Sequence, residues 1–250
     1  MSDGKRVVLT ADRSLMTNYR GNFLYGFIAC GPYELVPEFV FDKLFCPSVE
    51  TDKNTGEVKV AQCGLRRIES ALLKEYQRDD IVIAHPEMLE KSIGPNTTVV
   101  GINVMDPLGM APVTTTMSPE KLSYVAMKFK KMCASVIQLK KKYGFKVVVG
   151  GNGSWELAKP DRMKIHGIDT VVIGAADELA LDLFHDLEAG DAPELLHTFV
   201  RNIENIPPIQ GPTVNSLVEA MRGCGRGCYF CDVNKRSKKD IPLERLQAEA

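Results

Sequence analysis

The stretch Phe145-Lys146-Val147-Val148-Val149-Gly150-Gly151 decides the fold. Its apolar run is short enough for a β-strand and does not alternate with polar residues, which is typical of a strand buried on both faces. A predicted amphipathic helix over residues 118–144 precedes it, with Ser118 and Pro119 as the signals for its start. The stretch therefore predicts a parallel sheet that is covered by helices on both sides.

Four other short apolar runs have the same character, and helical patterns separate them. The runs lie at residues 6–10, 81–84, 98–104 and 169–174, and further helices are predicted at residues 32–45, 62–76 and 177–188. Strands that alternate with helices form parallel sheets. We expect an α/β fold in which residues 1–190 form a Rossmann-like, flavodoxin-like domain with a five-stranded parallel sheet. Residues 191–215 are rich in proline and lack periodicity, so they are expected to be a linker.

Ligands of such sheets bind beyond the carboxyl ends of the strands, at the point where the strand order reverses. The residues expected to line a binding site there follow the predicted strands directly: Asp12, Ser14, Met105, Asp106, Gly150, Gly151 and Gly174. Gly150 and Gly151 have two interpretations. Their missing side chains would leave room for a bulky ligand, or they form a tight turn between a strand and a helix.

The second informative stretch is Arg222-Gly223-Cys224-Gly225-Arg226-Gly227-Cys228-Tyr229-Phe230-Cys231. Thiolates this close together are able to bind one soft metal centre, and glycines supply the unusual backbone angles that a tight loop requires. Iron–sulfur clusters usually have four cysteine ligands, so three would leave one iron open for another ligand. A structural zinc site, a disulfide with one free thiol, and three unrelated core cysteines are the alternatives.

At these residues the chain resembles the cluster loop of the radical S-adenosylmethionine superfamily. The resemblance implies a four-iron four-sulfur cluster on Cys224, Cys228 and Cys231, with S-adenosylmethionine on the open iron. It also implies that Phe230 lies beside the adenine of S-adenosylmethionine, although a core phenylalanine is an equal alternative. An electron donor to the cluster is a further implied partner.

The first domain, in its position before this loop, resembles the cobalamin-binding domain of cobalamin-dependent members of that superfamily. One departure is that Asp12-Arg13-Ser14-Leu15-Met16 contains no histidine to bind cobalt from below. Another is a long insert over residues 21–60. Cobalamin would therefore bind without a histidine ligand, or be absent. Residues 216–250 are expected to be the first strand, cluster loop and first helix of a truncated βα barrel, so the chain is interpreted as the N-terminal part of a longer enzyme, inactive by itself.

Composition narrows the class of protein. Of the 250 residues, 44% are hydrophobic. The formal net charge is −1, and a charge this small gives no argument for nucleic acid as a partner. No apolar run reaches the roughly 18 residues of a membrane span, so a cytoplasmic location without membrane contact is expected.

The predicted function is generation of a deoxyadenosyl radical for methylation or a related modification of an unactivated carbon. The alternatives are a corrinoid- or nucleotide-binding module with a vestigial loop, and a radical enzyme without cobalamin.

Overall fold

The computed structural model describes residues 3–22, 24–228 and 238–249, and its centre is a parallel sheet of six strands. The order across the sheet is β2-β1-β3-β4-β5-β6, so the direction of progression reverses between β1 and β3. The strands are β1 (Val7–Ala11), β2 (Ile81–Ile83), β3 (Val99–Asn103), β4 (Lys146–Gly150), β5 (Thr170–Gly174) and β6 (Leu195–Thr198). The α/β class and five of the predicted strands are confirmed.

The helices lie on both faces of the sheet and in the insert. In chain order they are α1 (Leu24–Ala29), α2 (Glu38–Val40), α3 (Cys63–Leu72), α4 (Leu89–Ser92), α5 (Pro112–Met117), α6 (Tyr124–Tyr143), α7 (Pro160–His166), α8 (Ala180–Ala189) and α9 (Leu243–Glu249). A π-helical turn, Phe41–Phe45, continues α2. None of the helices within the described ranges combines the length and apolar character needed to cross a bilayer.

Alternate residues of each strand feed two separate cores. On one face, Leu9, Val148 and Val172 pack with residues of α3 and α8. On the other, Val100 and Val147 belong to the core that α6 and α7 complete. Because both faces are buried, the strands are apolar at nearly every position, which explains the unbroken runs in the sequence.

The prediction of five strands and a linker at residues 191–215 was wrong in one respect. Leu195–Thr198 forms β6, which pairs in parallel with β5 from Leu195 opposite Val171 to Thr198 opposite Gly174. Leu195 and His197 are exposed, because β6 lies at the edge of the sheet. An edge strand needs no continuous apolar run, so the sequence carried little signal for it.

The long helix begins later than predicted. Ser123, rather than Ser118, caps α6 by accepting a hydrogen bond from the Ala126 amide. Gly144 ends the helix in the left-handed conformation, at the predicted position. Residues 112–117 form the separate helix α5, which ends at Ser118.

The insert is fastened over the crevice between β1 and β3. Arg13, just after β1, donates from Nε to the Cys46 carbonyl at 3.2 Å. Phe41 stacks on Tyr124 of α6 with ring centroids 3.9 Å apart, and the ammonium of Lys128 bonds Glu38 and Asp42. The insert therefore contacts both the loop after β1 and the helix after β3, on either side of the point where the strand order reverses.

Within the residues that the structure describes, the C-terminal segment contains short elements. Residues 221–222 form β7 (Met221–Arg222), which pairs antiparallel with β8 (Lys239–Asp240). The predicted strand over residues 216–224 is thus confined to two residues. A parallel βα-barrel start was predicted for this segment, and the described residues form this short hairpin and α9 instead.

Candidate functional site

A cavity of about 1320 Å³ opens at the carboxyl ends of β3 to β6. The ends of these strands, α3, α8 and the segment 217–223 provide its lining. Pockets for small ligands typically measure about 300–1,000 Å³, so this cavity has room for a large cofactor. The carboxyl edge was the predicted location. Residues of β3 and Leu9 of β1 line part of the cavity, whereas the loop after β1, which the insert contacts, does not.

The inner end of the cavity is apolar and reaches the middle of the sheet. Leu9, Val148, Val172 and Phe184 line it, and all four belong to the buried core between the sheet and helices α3 and α8. Gly101, in the middle of β3, also lines it. A Cβ atom at Gly101 would approach Leu9 Cδ2 to 2.8 Å and Phe184 Cζ to 3.4 Å. The glycine therefore lets these two side chains and the strand lie close together.

The three glycines predicted to line the binding site differ in what a side chain would meet. A Cβ at Gly150 would have Val172 Cβ as its nearest neighbour at 4.0 Å, so the cavity side of this residue is open. A Cβ at Gly151 would lie 2.3 Å from the Val104 carbonyl oxygen, and one at Gly174 would lie 2.0 Å from that of Thr198. Gly151 and Gly174 line the cavity, but backbone packing already requires them, whereas Gly150 leaves space for a ligand.

The polar residues that were predicted for the site do not line the cavity. Asp12 accepts hydrogen bonds from the Ser14 amide at 2.9 Å and from the Ser14 hydroxyl, and both residues are buried. Burial raises the pKa of Asp12 to about 6. Asp106 accepts from the Ala111 amide at 2.9 Å and from the Thr114 hydroxyl. These residues stabilise the loops after β1 and β3, while Met105, half-exposed, lines the cavity.

Glu156 is a buried carboxyl group that the sequence did not indicate. It accepts a hydrogen bond from the Leu108 amide at 2.7 Å through Oε2, while Oε1 has no partner among the described residues. Burial, helped by the adjacent Asp106 carboxylate, raises the pKa of Glu156 to about 8. A buried carboxyl group of this kind retains its proton near neutral pH.

The cysteine loop begins at the mouth of the cavity. Gly223 lines the cavity, Cys224 is exposed and Cys228 is half-buried. The three glycines Gly223, Gly225 and Gly227 have φ values of 83°, 71° and 60°, as expected for a loop that bends tightly. Phe230 and Cys231 lie outside the described residues. Residues 3–22, 24–228 and 238–249, which do not include Cys231, contain no group of three or more His, Cys, Asp or Glu side chains that could hold a metal ion.

The geometry fits a cluster and a large cofactor to different degrees. The left-handed glycines and the accessible Cys224 thiol suit a loop that wraps an inorganic centre. The open side of Gly150 and the volume of the cavity suit a bulky ligand, and the buried Asp12 and Ser14 offer it no contact. Both groups therefore fit, the second through shape more than through polar contacts.

Many lining residues were missed from the sequence, and three of them are informative. Gly101 had a recognisable signal, because a glycine inside a strand often marks close approach of another group. Trp155, the single tryptophan of the chain, lies at the rim with 43% of its surface exposed. Arg222 was noted only as the residue before Gly223, and its contacts depend on Asp177, 45 positions away in sequence.

Comparisons with protein-family models, with curated proteins and with solved structures found no match to this chain. The chemistry and placement of its own residues are therefore the basis for a function.

Proposed function

We propose that the chain belongs to a radical S-adenosylmethionine enzyme whose α/β domain holds a corrinoid. The observation that carries the proposal is the junction of two features: the cavity beyond β3 to β6 ends at Gly223, the residue before the first cysteine of the Cys-x3-Cys-x2-Cys motif. A ligand in the cavity and a group on the loop would share one space.

The cysteines and the cavity have separate tasks. Cys224, Cys228 and Cys231 would hold the cluster, which when bound supplies the electron that cleaves S-adenosylmethionine to methionine and a deoxyadenosyl radical, while a corrinoid supplies a methyl group. The apolar inner end, with Val148, Val172 and Phe184, would exclude water from the ligand. Gly150 would allow the ligand to lie against the end of β4.

Anaerobic reconstitution of the full chain with iron and sulfide tests the first part. We expect visible absorption of a cluster and bound iron, both lost when Cys224, Cys228 and Cys231 are replaced by Ala. A matched control replaces Cys30 and Cys63, two half-buried cysteines outside the motif, and should retain the iron. Equal iron in both variants would overturn the assignment.

Titration with methylcobalamin tests the second part. The spectrum of the corrinoid should shift on binding to the full chain. Gly150→Leu should weaken this binding at least about tenfold, because its side chain would enter the cavity, and the melting temperature should change little. Unchanged binding in Gly150→Leu would exclude the cavity as the corrinoid site, and the absence of any shift with the wild-type chain would remove cobalamin from the proposal.

A further inference from the structure

Arg222 joins two sides of the cavity mouth. Its Nη1 donates to Asp177 Oδ2 at 2.7 Å and its Nη2 to Asp177 Oδ1 at 3.2 Å. The same guanidinium donates from Nε to Glu219 Oε1 at 2.7 Å and from Nη2 to Glu219 Oε2 at 2.6 Å. Two carboxylates thus grip one planar group, which fixes its orientation as well as its position. We call these three residues the Arg222 clamp.

The segment that carries Arg222 has few other contacts, among them one between Glu219 and Arg67 at 3.8 Å. Leu217 and Met221 expose 56% and 47% of their surface, so burial contributes little there. The strand β7 is two residues long, and beside it the Ile241 amide donates to the Ala220 carbonyl. A segment with few buried apolar contacts opens readily unless directional bonds restrain it. The clamp supplies such bonds two residues before Cys224.

The other side of the clamp is firmly placed. Asp177 is buried in the loop after β5. Its neighbour Glu178 accepts hydrogen bonds from the Arg201 and Asn202 amides at 2.7 and 3.0 Å, and from Asn205 Nδ2 at 2.9 Å. The loop is therefore tied to the chain that follows β6. The hydrogen-bonded carboxylates outweigh burial and raise the pKa of Arg222, so the clamp stays charged.

We infer that Arg222 is a positioning residue: held by Asp177 and Glu219, it fixes the start of the cysteine loop at the mouth of the cavity. What the loop carries rests on the proposed function, whereas the restraint on residues 220–222 does not. The two are therefore tested by separate measurements.

Hydrogen–deuterium exchange on the full chain, without iron, tests the restraint. In Asp177→Asn and in Arg222→Gln, the amides of residues 220–222 and of Ile241 should exchange about tenfold faster than in the wild type. The double variant should add nothing further, because both changes remove the same contact. Asp182→Asn, an exposed acid on α8, is the charge-matched control and should exchange like the wild type.

Unchanged exchange in Asp177→Asn and Arg222→Gln would overturn the inference. If either change prevents folding, Arg222→Lys replaces it, since lysine retains the charge but lacks the fork that spans two carboxylates. We then expect exchange that is faster than in the wild type but slower than after loss of the charge. Exchange as slow as in the wild type would count against the clamp.

Electron paramagnetic resonance of the reconstituted, reduced protein tests the positioning of the loop. With S-adenosylmethionine added, Asp177→Asn should bind as much iron as the wild type but give an altered cluster spectrum, and Asp177→Glu should restore it. Identical spectra in wild type and Asp177→Asn would refute the positioning role. If the wild-type chain takes up no iron, the proposed function fails, and the exchange measurement still decides whether the clamp restrains the segment.

Discussion

The sheet domain and the C-terminal segment are held in place by different forces. In β1 every residue is buried, and the neighbouring strands are buried along most of their length. In β7, β8 and α9 no residue is buried as a whole, although the side chain of Glu249 is. Apolar residues around these elements are buried, among them Ile206, Ile209, Val214 and Ile241, and arginines add directional bonds: Arg66 and Arg67 of α3 reach the carbonyls of Pro212 and Pro207, and Arg245 reaches that of Ile203.

Because the two regions are held differently, they should respond differently to substitutions. Burial of apolar surface acts through many weak contacts and has no preferred direction, so it makes a region cooperative and stable. Charged hydrogen bonds act at single points and fix orientation. We therefore expect the sheet domain to unfold as a unit, and the C-terminal segment to detach when one arginine is lost.

The largest expected effect comes from the core. Phe129 of α6 is fully buried, and Phe129→Ala should lower the free energy of unfolding by about 4 kcal/mol, because it leaves a cavity. Met221→Ala in β7, where 47% of the side chain is exposed, should change it by less than about 0.5 kcal/mol. Denaturant titration of both variants provides the measurement. Equal losses would break the distinction between the two regions.

The next effect concerns the attachment of α9. Arg67 donates from Nη1 to Glu249 Oε1 at 2.6 Å and from Nη2 to Oε2 at 3.0 Å, and the side chains of both residues are almost fully buried. Arg67→Gln would remove the two short bonds to the buried Glu249 carboxylate and leave it the weaker contacts from Arg245 at 3.4 Å and the Ile209 amide at 3.2 Å, at a cost of up to about 3 kcal/mol. We expect the amides of residues 243–249 to exchange freely while those of the sheet stay protected.

An ion pair with one exposed partner gives the matched control for Arg67→Gln, since the buried Glu69 would keep its bond from Arg66 at 2.8 Å. Arg78 contacts Glu69 at 2.5 Å, but half of the Arg78 side chain is exposed. Arg78→Gln should cost about 0.5 kcal/mol or less and leave α9 in place. Simultaneous loss of protection in the sheet and in α9 after Arg67→Gln would show that the two regions form one cooperative unit.

The smallest effect is a pH dependence of stability, which arises from a buried carboxyl group of the sheet domain. Burial raises the pKa of Glu156 to about 8, above its ordinary value of 4.5. Between these pH values the folded chain retains a proton that the unfolded chain releases, so stability falls as pH rises through this window and levels off above it. The slope should approach about 1.4 kcal/mol per pH unit.

Glu156→Gln isolates that contribution. The amide oxygen is able to accept the bond from the Leu108 amide, and the side chain no longer ionises. The clearest range is pH 6 to 8, because Asp12, with its pKa of about 6, contributes mainly below it. We expect a flatter stability profile, in which the variant loses about 2 kcal/mol less than the wild type between pH 6 and pH 8. A profile parallel to that of the wild type would contradict the buried, protonated state of Glu156.

The sequence predicted the sheet well because apolar runs such as residues 145–149 reflect burial directly. It did not predict β6, whose exposed residues Leu195 and His197 make no such run. The candidate site was predicted in part. Met105, Gly150, Gly151 and Gly174 line the cavity, whereas Asp12, Ser14 and Asp106 stabilise loops instead. The insert covers part of the carboxyl edge of the sheet. This was not predictable, because the insert packs on Tyr124 and Lys128, which are distant from it in sequence.

The position of Trp155 has a practical consequence. Because the chain has a single tryptophan and it lies at the rim of the cavity, its fluorescence would report on that rim alone. A coloured ligand bound nearby would quench the emission by energy transfer, and movement of residues 217–223 would alter its polarity and hence the wavelength of maximum emission. Rapid-mixing measurements with this natural fluorophore would therefore give the rates of both events without a label.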